Sequence, residues 1–142
     1  MVYVALFNGP YENQLPHTRQ NIIFMPEHCL VAPDERVAAL FAHELVHIFQ
    51  RYNRLLTLAI LSENGFDAVR RVTPADNIRA NPDTDDFLYT NAVPERYLST
   101  RPSNIAEVVA GARHPFEVMA YNLQNMVAVA GRPVEFGSSE SW

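Results

Sequence analysis

At 142 residues, with apolar side chains making up 48% of the chain, there is material for one domain with a buried core. A net charge of −5 argues against nucleic acid or an anionic membrane as the natural partner. Cys29 is the only cysteine, which excludes an internal disulfide and reads as a small buried hydrophobe. No run reaches the roughly 18 apolar residues of a membrane helix, and Val2 to Phe7 lacks the basic start and small-residue end of a signal peptide. The expectation is a soluble, cytoplasmic protein.

Met1 to Phe7 is rich in Val, Tyr, Leu and Phe and reads as a strand ending in the turn Asn8-Gly9-Pro10. Tyr11 to His17 reads as a loop. Asn21 to Met25 is a second strand, closed by Pro26. Pro33-Asp34 opens a long helix expected to run to Tyr52, with Asp34 as its N-cap and Glu35 adding favourable charge to the first turn.

Inside that helix lies His43-Glu44-Leu45-Val46-His47, the pattern H-E-x-x-H. Histidines at i and i+4 stand one above the other, so both imidazoles can bind one zinc ion. Glu44 then sits beside the open coordination position. Zinc brings the pKa of a bound water towards about 7, and an adjacent carboxylate can take its proton. With this chain's composition the pattern is expected by chance about 0.01 times. The rival reading is two surface histidines on an amphipathic helix. His43, His47 and Arg51, with Leu40 and Glu44, fall on one side; Val37, Phe41, Leu45, Ile48 and Tyr52 fall on the other. One face is thus expected to be buried and the other to line a cleft.

Arg54 to Leu61 is a second helix, closed at Asn64-Gly65 and apolar nearly all round, which predicts a core position. Val72 to Pro94 is irregular, with a short strand at Phe87 to Tyr89. Asn81 to Asp86 carries oxygen ligands at alternate positions but lacks the glycine and distal glutamate of a calcium loop, so it reads as a solvated turn. An irregular stretch of this length can drape over a cleft and shape substrate choice. Asn104 to Ala110 reads as a helical turn or two. His114 precedes a helix with Pro115 at its first position and Gly131 at its end. Phe116, Met119, Ala120, Leu123, Val127 and Ala130 make its apolar face. Residues 1–136 form the domain, and 137–142 read as a flexible tail.

His43-Glu44-Leu45-Val46-His47 resembles the active-site helix of zincin metallopeptidases, and His47-Ile48-Phe49-Gln50 resembles the H-x-x-Q form of small gluzincin-like domains. The metzincin extension is excluded, because Gln50 and Asn53 stand where it needs glycine and histidine. His114-Pro115-Phe116-Glu117-Val118-Met119-Ala120 is similar to the (N/H)-P-x-E-x-x-A segment of the same small domains. The resemblance implies a small α+β zincin-like domain, mainly helical, with a short sheet whose edge strand lines the cleft. It further implies zinc held by His43, His47 and Glu117, with Glu44 as catalytic base. Glu107, Glu95 and Asp76 are rival third ligands without a comparable pattern.

Leu15 to Phe24 resembles the zincin edge strand, which makes Ile22, Ile23 and Phe24 candidate substrate-binding residues by strand addition; an ordinary core strand is the alternative. His114 either lines the cleft and touches substrate or caps its helix. An oxyanion donor can come from Tyr121, Tyr89, Tyr97 or His114, with Tyr121 favoured because it lies one turn from Glu117. Glu107 and Asp76 are available to orient the histidines. The leading expectation is a zinc metallopeptidase acting on a peptide or protein substrate. The alternative is a catalytically inert zincin-like module binding metal or a protein partner, and a weaker one is an effector-type protease. Oligomeric state is not legible.

Overall fold

The computed structural model describes residues 1–99 and 109–130. They form an α+β domain of five short strands and three helices: β1 (Tyr3–Phe7), β2 (His17–Arg19), β3 (Ile22–Pro26), α1 (Asp34–Tyr52), α2 (Arg54–Glu63), β4 (Ala68–Arg71), β5 (Phe87–Tyr89) and α3 (Pro115–Ala130). The closing role of Gly131 and the tail 137–142 lie outside the described residues, as does most of the expected helical turn over Asn104 to Ala110. No helix among the described residues is long and apolar enough to cross a membrane.

The first sheet has the order β1-β3-β2. β1 runs parallel to β3, with Val4 opposite Ile23, and β2 pairs antiparallel, with Thr18 opposite Ile23. The strand carrying Ile22, Ile23 and Phe24 is therefore central, not an edge. The N-terminal strand returns to cover its far side, and Ile23 keeps only 1% of its surface exposed. Ile23 and Met25 pack with Ile48 of α1, joined by half-buried Cys29, Leu40 and Phe41. β4 and β5 form a separate antiparallel pair with a register shift between Ala68 and Arg70.

α1 begins at Asp34 with Pro33 in the capping position, and no side chain caps it. Asp34 thus occupies the first turn, where its charge still favours the helix N-terminus. The helix ends at Asn53, whose Nδ2 donates to the Phe49 carbonyl at 3.0 Å. Its burial differs from the expected pattern. The histidine side is covered, with Ala39, His43, Glu44, Val46, His47 and Gln50 buried, while on the other side Ile48 is buried and Leu45 and Tyr52 are exposed. The reason is α3, the element α1 packs against most extensively. The small residues Ala39 and Ala120, essentially without exposed surface, suit so close an approach.

α2 is less buried than its composition suggests. Thr57 and Leu61 point inward, but Leu55 is 85% exposed. It follows α1 directly through Asn53, and only one stripe meets the second core of Leu61, Tyr89 and Phe116.

Candidate metal and active site

α1 supplies two imidazoles and α3 brings a carboxylate to them. His43 Nε2 and His47 Nε2 lie 3.2 Å apart. Glu117 Oε1 is 2.7 Å from His47 Nε2, and its Oε2 is 3.3 Å from His43 Nε2. Glu117 stands in the first turn of α3, so the helix that covers α1 also delivers the third donor. These three groups are close enough to hold a metal ion, their ligand atoms all lying within 4.8 Å of one another. Of the rivals, Asp76 is bound by both terminal nitrogens of Arg70 at 2.8 Å, and Glu95 accepts from Arg79 at 3.0 Å. Glu107 lies outside the described residues.

Gln50 fixes the tautomer of His47. Its Nε2 donates to the Phe116 carbonyl at 3.0 Å, so its amide oxygen is the atom that meets His47 Nδ1 at 2.9 Å. An amide oxygen only accepts, hence Nδ1 carries a proton. In neutral His47 the lone pair is then on Nε2, aimed between His43 and Glu117. Neither Asp76 nor another carboxylate takes this orienting role among the described residues; an amide does.

Burial disfavours a charged His47, but the hydrogen bond and charge of Glu117, with the charges of Asp83 and Glu44, raise its pKa to about 9. Burial pushes Glu117 up, yet the hydrogen bonds of His43 and His47 outweigh it and hold that carboxyl well below the usual range. Glu44 is only 3% exposed. Burial, and next the charge of Asp83, raise its carboxyl to about 9, with His47 opposing and Glu117 adding. Its Oε2 and His43 Nδ1 are buried without a hydrogen-bond partner. Buried polar atoms are seldom left so.

The site opens into a cleft of about 700 Å³ whose walls include Leu15, Pro16 and His17 on the sheet side, Asn81, Pro82 and Asp83 on the irregular segment, and Arg113, Tyr121 and Gln124 around α3. The segment between the ligands does reach the cleft. Tyr121 meets the His43 ring edge-on at 4.5 Å between centroids and carries the Arg113 guanidinium 4.1 Å above its own ring. Burial, then the Glu117 charge, raises its hydroxyl pKa.

Ile22, Ile23 and Phe24 do not line this cleft, because β2 stands between them and it. Phe24 instead stacks on His17 at 5.0 Å. His114 stands outside it as well. Its Nδ1 accepts from the Phe116 amide at 3.0 Å, capping α3, and its Nε2 lies 2.8 Å from Asp85 Oδ1. Tyr89 donates to Asp85 Oδ2 at 2.5 Å and belongs to the second core.

Asp83 and Asp85 overturn the reading of a solvated turn. Asp85 gathers Tyr89, His114 and Arg54, and Asp83, 8% exposed, turns inward to Thr18. Asp83 was missed as a site residue, although it comes within 4.8 Å of the ligand atoms of Glu44 and His47. Its sequence signal was only a carboxylate after Asn-Pro.

No protein-family model, no curated protein and no solved structure matches this chain.

Proposed function

We propose that the chain is a zinc-dependent metallopeptidase of the gluzincin-like kind, hydrolysing peptide bonds with Glu44 as general base. The observation that carries this reading is the convergence of His43, His47 and Glu117 from two helices, with the Glu44 carboxylate close to His47 and its buried Oε2 unpartnered. Two nitrogens and one carboxylate match the donor set of a catalytic zinc site. The spacing supports it too. The imidazole nitrogens lie 3.2 Å apart, and the Glu117 carboxylate reaches both, at 2.7 Å from His47 and 3.3 Å from His43.

Zinc, when bound, supplies Lewis acidity that polarises a carbonyl and acidifies a water. The chain's own residues do the rest. Gln50 holds His47 with its Nε2 lone pair inward. A divalent cation in this cluster would oppose the burial and the Asp83 charge that raise Glu44, favouring the ionised form a base requires. Glu44 Oε2 then takes a proton from the attacking water and passes it to the leaving amine. The Tyr121 hydroxyl, beside His43 on the cleft wall, is suited to donate to the oxygen that gains charge. The cleft, open and lined by both polar and apolar groups, suits an unfolded polypeptide.

Elemental analysis of the purified protein, paired with cleavage of an unstructured protein such as casein, tests this reading. About one zinc per chain and chelator-sensitive cleavage are expected, both lost in His43→Ala and His47→Ala. Full zinc occupancy in the double histidine variant would refute the site. Tight zinc without cleavage of any substrate would leave a binding module.

A further inference from the structure

We propose that Asp83 is a specificity-determining residue that ends the substrate cleft at Thr18, closing the sheet edge on which an extended peptide would pair. This rests on the peptide-substrate reading of the same cleft.

β2 is the sheet edge on the cleft side, and side chains and main-chain groups alternate along it. The position opposite Ile23 is Thr18, and its N–H points away from β3, since it donates to Asp83 Oδ1 at 2.6 Å. The Thr18 hydroxyl donates to the same oxygen at 2.7 Å. Arg51, from the last turn of α1, locks this pair, donating to Thr18 Oγ1 at 3.0 Å and to the Pro82 carbonyl at 2.9 Å. The next outward positions are closed as well. Pro16 has no N–H, and the carbonyl of Gln20 accepts from Arg51 Nη1. Strand addition requires a row of open main-chain groups. Here the chain itself takes the Thr18 N–H and the Gln20 carbonyl of that row, and Asp83 Oδ1 stands where a substrate carbonyl would.

The consequence is a cleft that binds peptide around the metal ligands and gains nothing from residues reaching past Thr18. Asp83 also lies beside Glu44, so the closure falls close to the reacting centre. Asparagine at position 83 keeps an accepting oxygen for Thr18. Alanine removes it and exposes a main-chain donor.

The test uses the zinc-loaded Glu44→Gln protein, which is expected to bind without cleaving, and labelled Gly/Ala/Ser peptides of graded length, read by fluorescence anisotropy. In that background affinity should stop rising once the peptide reaches Thr18. Adding Asp83→Ala should let it rise further for the longer peptides, by about threefold to tenfold, as one new main-chain hydrogen bond allows. Asp83→Asn should behave as the parent does. No gain with Asp83→Ala at any length, or an equal gain with Asp83→Asn, would overturn the proposal. Should Asp83→Ala fail to fold, the Thr18 amide resonance decides: an amide unmoved by the longest peptide supports closure, and one that shifts on titration refutes it. Wild-type cleavage of the same peptides reports separately on the peptidase reading.

Discussion

Gln50 joins the two halves of the site: its amide oxygen takes the Nδ1 proton of His47 at 2.9 Å, and its nitrogen holds the Phe116 carbonyl at 3.0 Å. One buried side chain thus orients His47 of α1 and docks the helix that carries Glu117. Gln50→Leu should lower zinc affinity about 10- to 100-fold, the usual cost of losing a ligand's orienting partner. It should also cost about 1–3 kcal/mol of stability by stranding buried groups. Gln50→Glu accepts from His47 but cannot donate to Phe116, so it should spare affinity more than stability. Chelator competition and urea unfolding measure the two quantities.

Glu117→Gln keeps the shape of the third donor and removes its charge. Zinc affinity should fall sharply while the fold survives in urea titration. Glu95→Gln, on the same cleft but paired with Arg79, should leave affinity within a few-fold. The reverse order of effects would move the third ligand elsewhere.

Asp85 is the acid-sensitive joint of the structure. Burial opposes its charge, but hydrogen bonds from His114, Tyr89 and Arg54 outweigh this and lower its pKa in the folded protein. A depressed carboxyl contributes stability that is present in full above its unfolded pKa of about 3.9 and is lost as pH falls through the folded value. Asp85→Ala should cost about 1–3 kcal/mol at pH 7, because it strands Tyr89 and His114. Denaturant titrations should find that difference shrinking as pH falls below about 4.

Metal should stabilise the fold. Ligands on α1 and α3 are scattered in the unfolded chain, so zinc at 100 times its dissociation constant should add about 2.7 kcal/mol. Removing it with a chelator should lower the melting temperature in wild type and leave His43→Ala unchanged.

Much of this arrangement is local and therefore legible. The i, i+4 histidines, the end of α1 at Tyr52, the strands around Val4 and Ile23, and Pro115 at the start of α3 all follow from neighbours in sequence. Glu117 was reached through a resemblance in its flanking residues, since nothing in the spacing singles it out. What escaped depends on distant contacts. Whether β3 is central or an edge depends on where β1 returns, and Asp83 gains its meaning from Thr18, 65 residues away. β4, wholly exposed and half arginine, has no apolar alternation to announce it. The burial of α1's histidine side also depends on a distant element, the covering helix α3, whereas Ile48 and Phe41 of its apolar stripe pack on the sheet.

The most direct test of the central claim is hydrolysis by Glu44→Gln, measured beside its zinc content and thermal stability. Glu44 stands beside the His43, His47 and Glu117 trio without belonging to it, so the variant should keep about one zinc per chain and its fold. Cleavage of casein should drop by about 10²- to 10⁴-fold, the contribution typical of a general base. Undiminished cleavage in zinc-loaded Glu44→Gln would contradict the account.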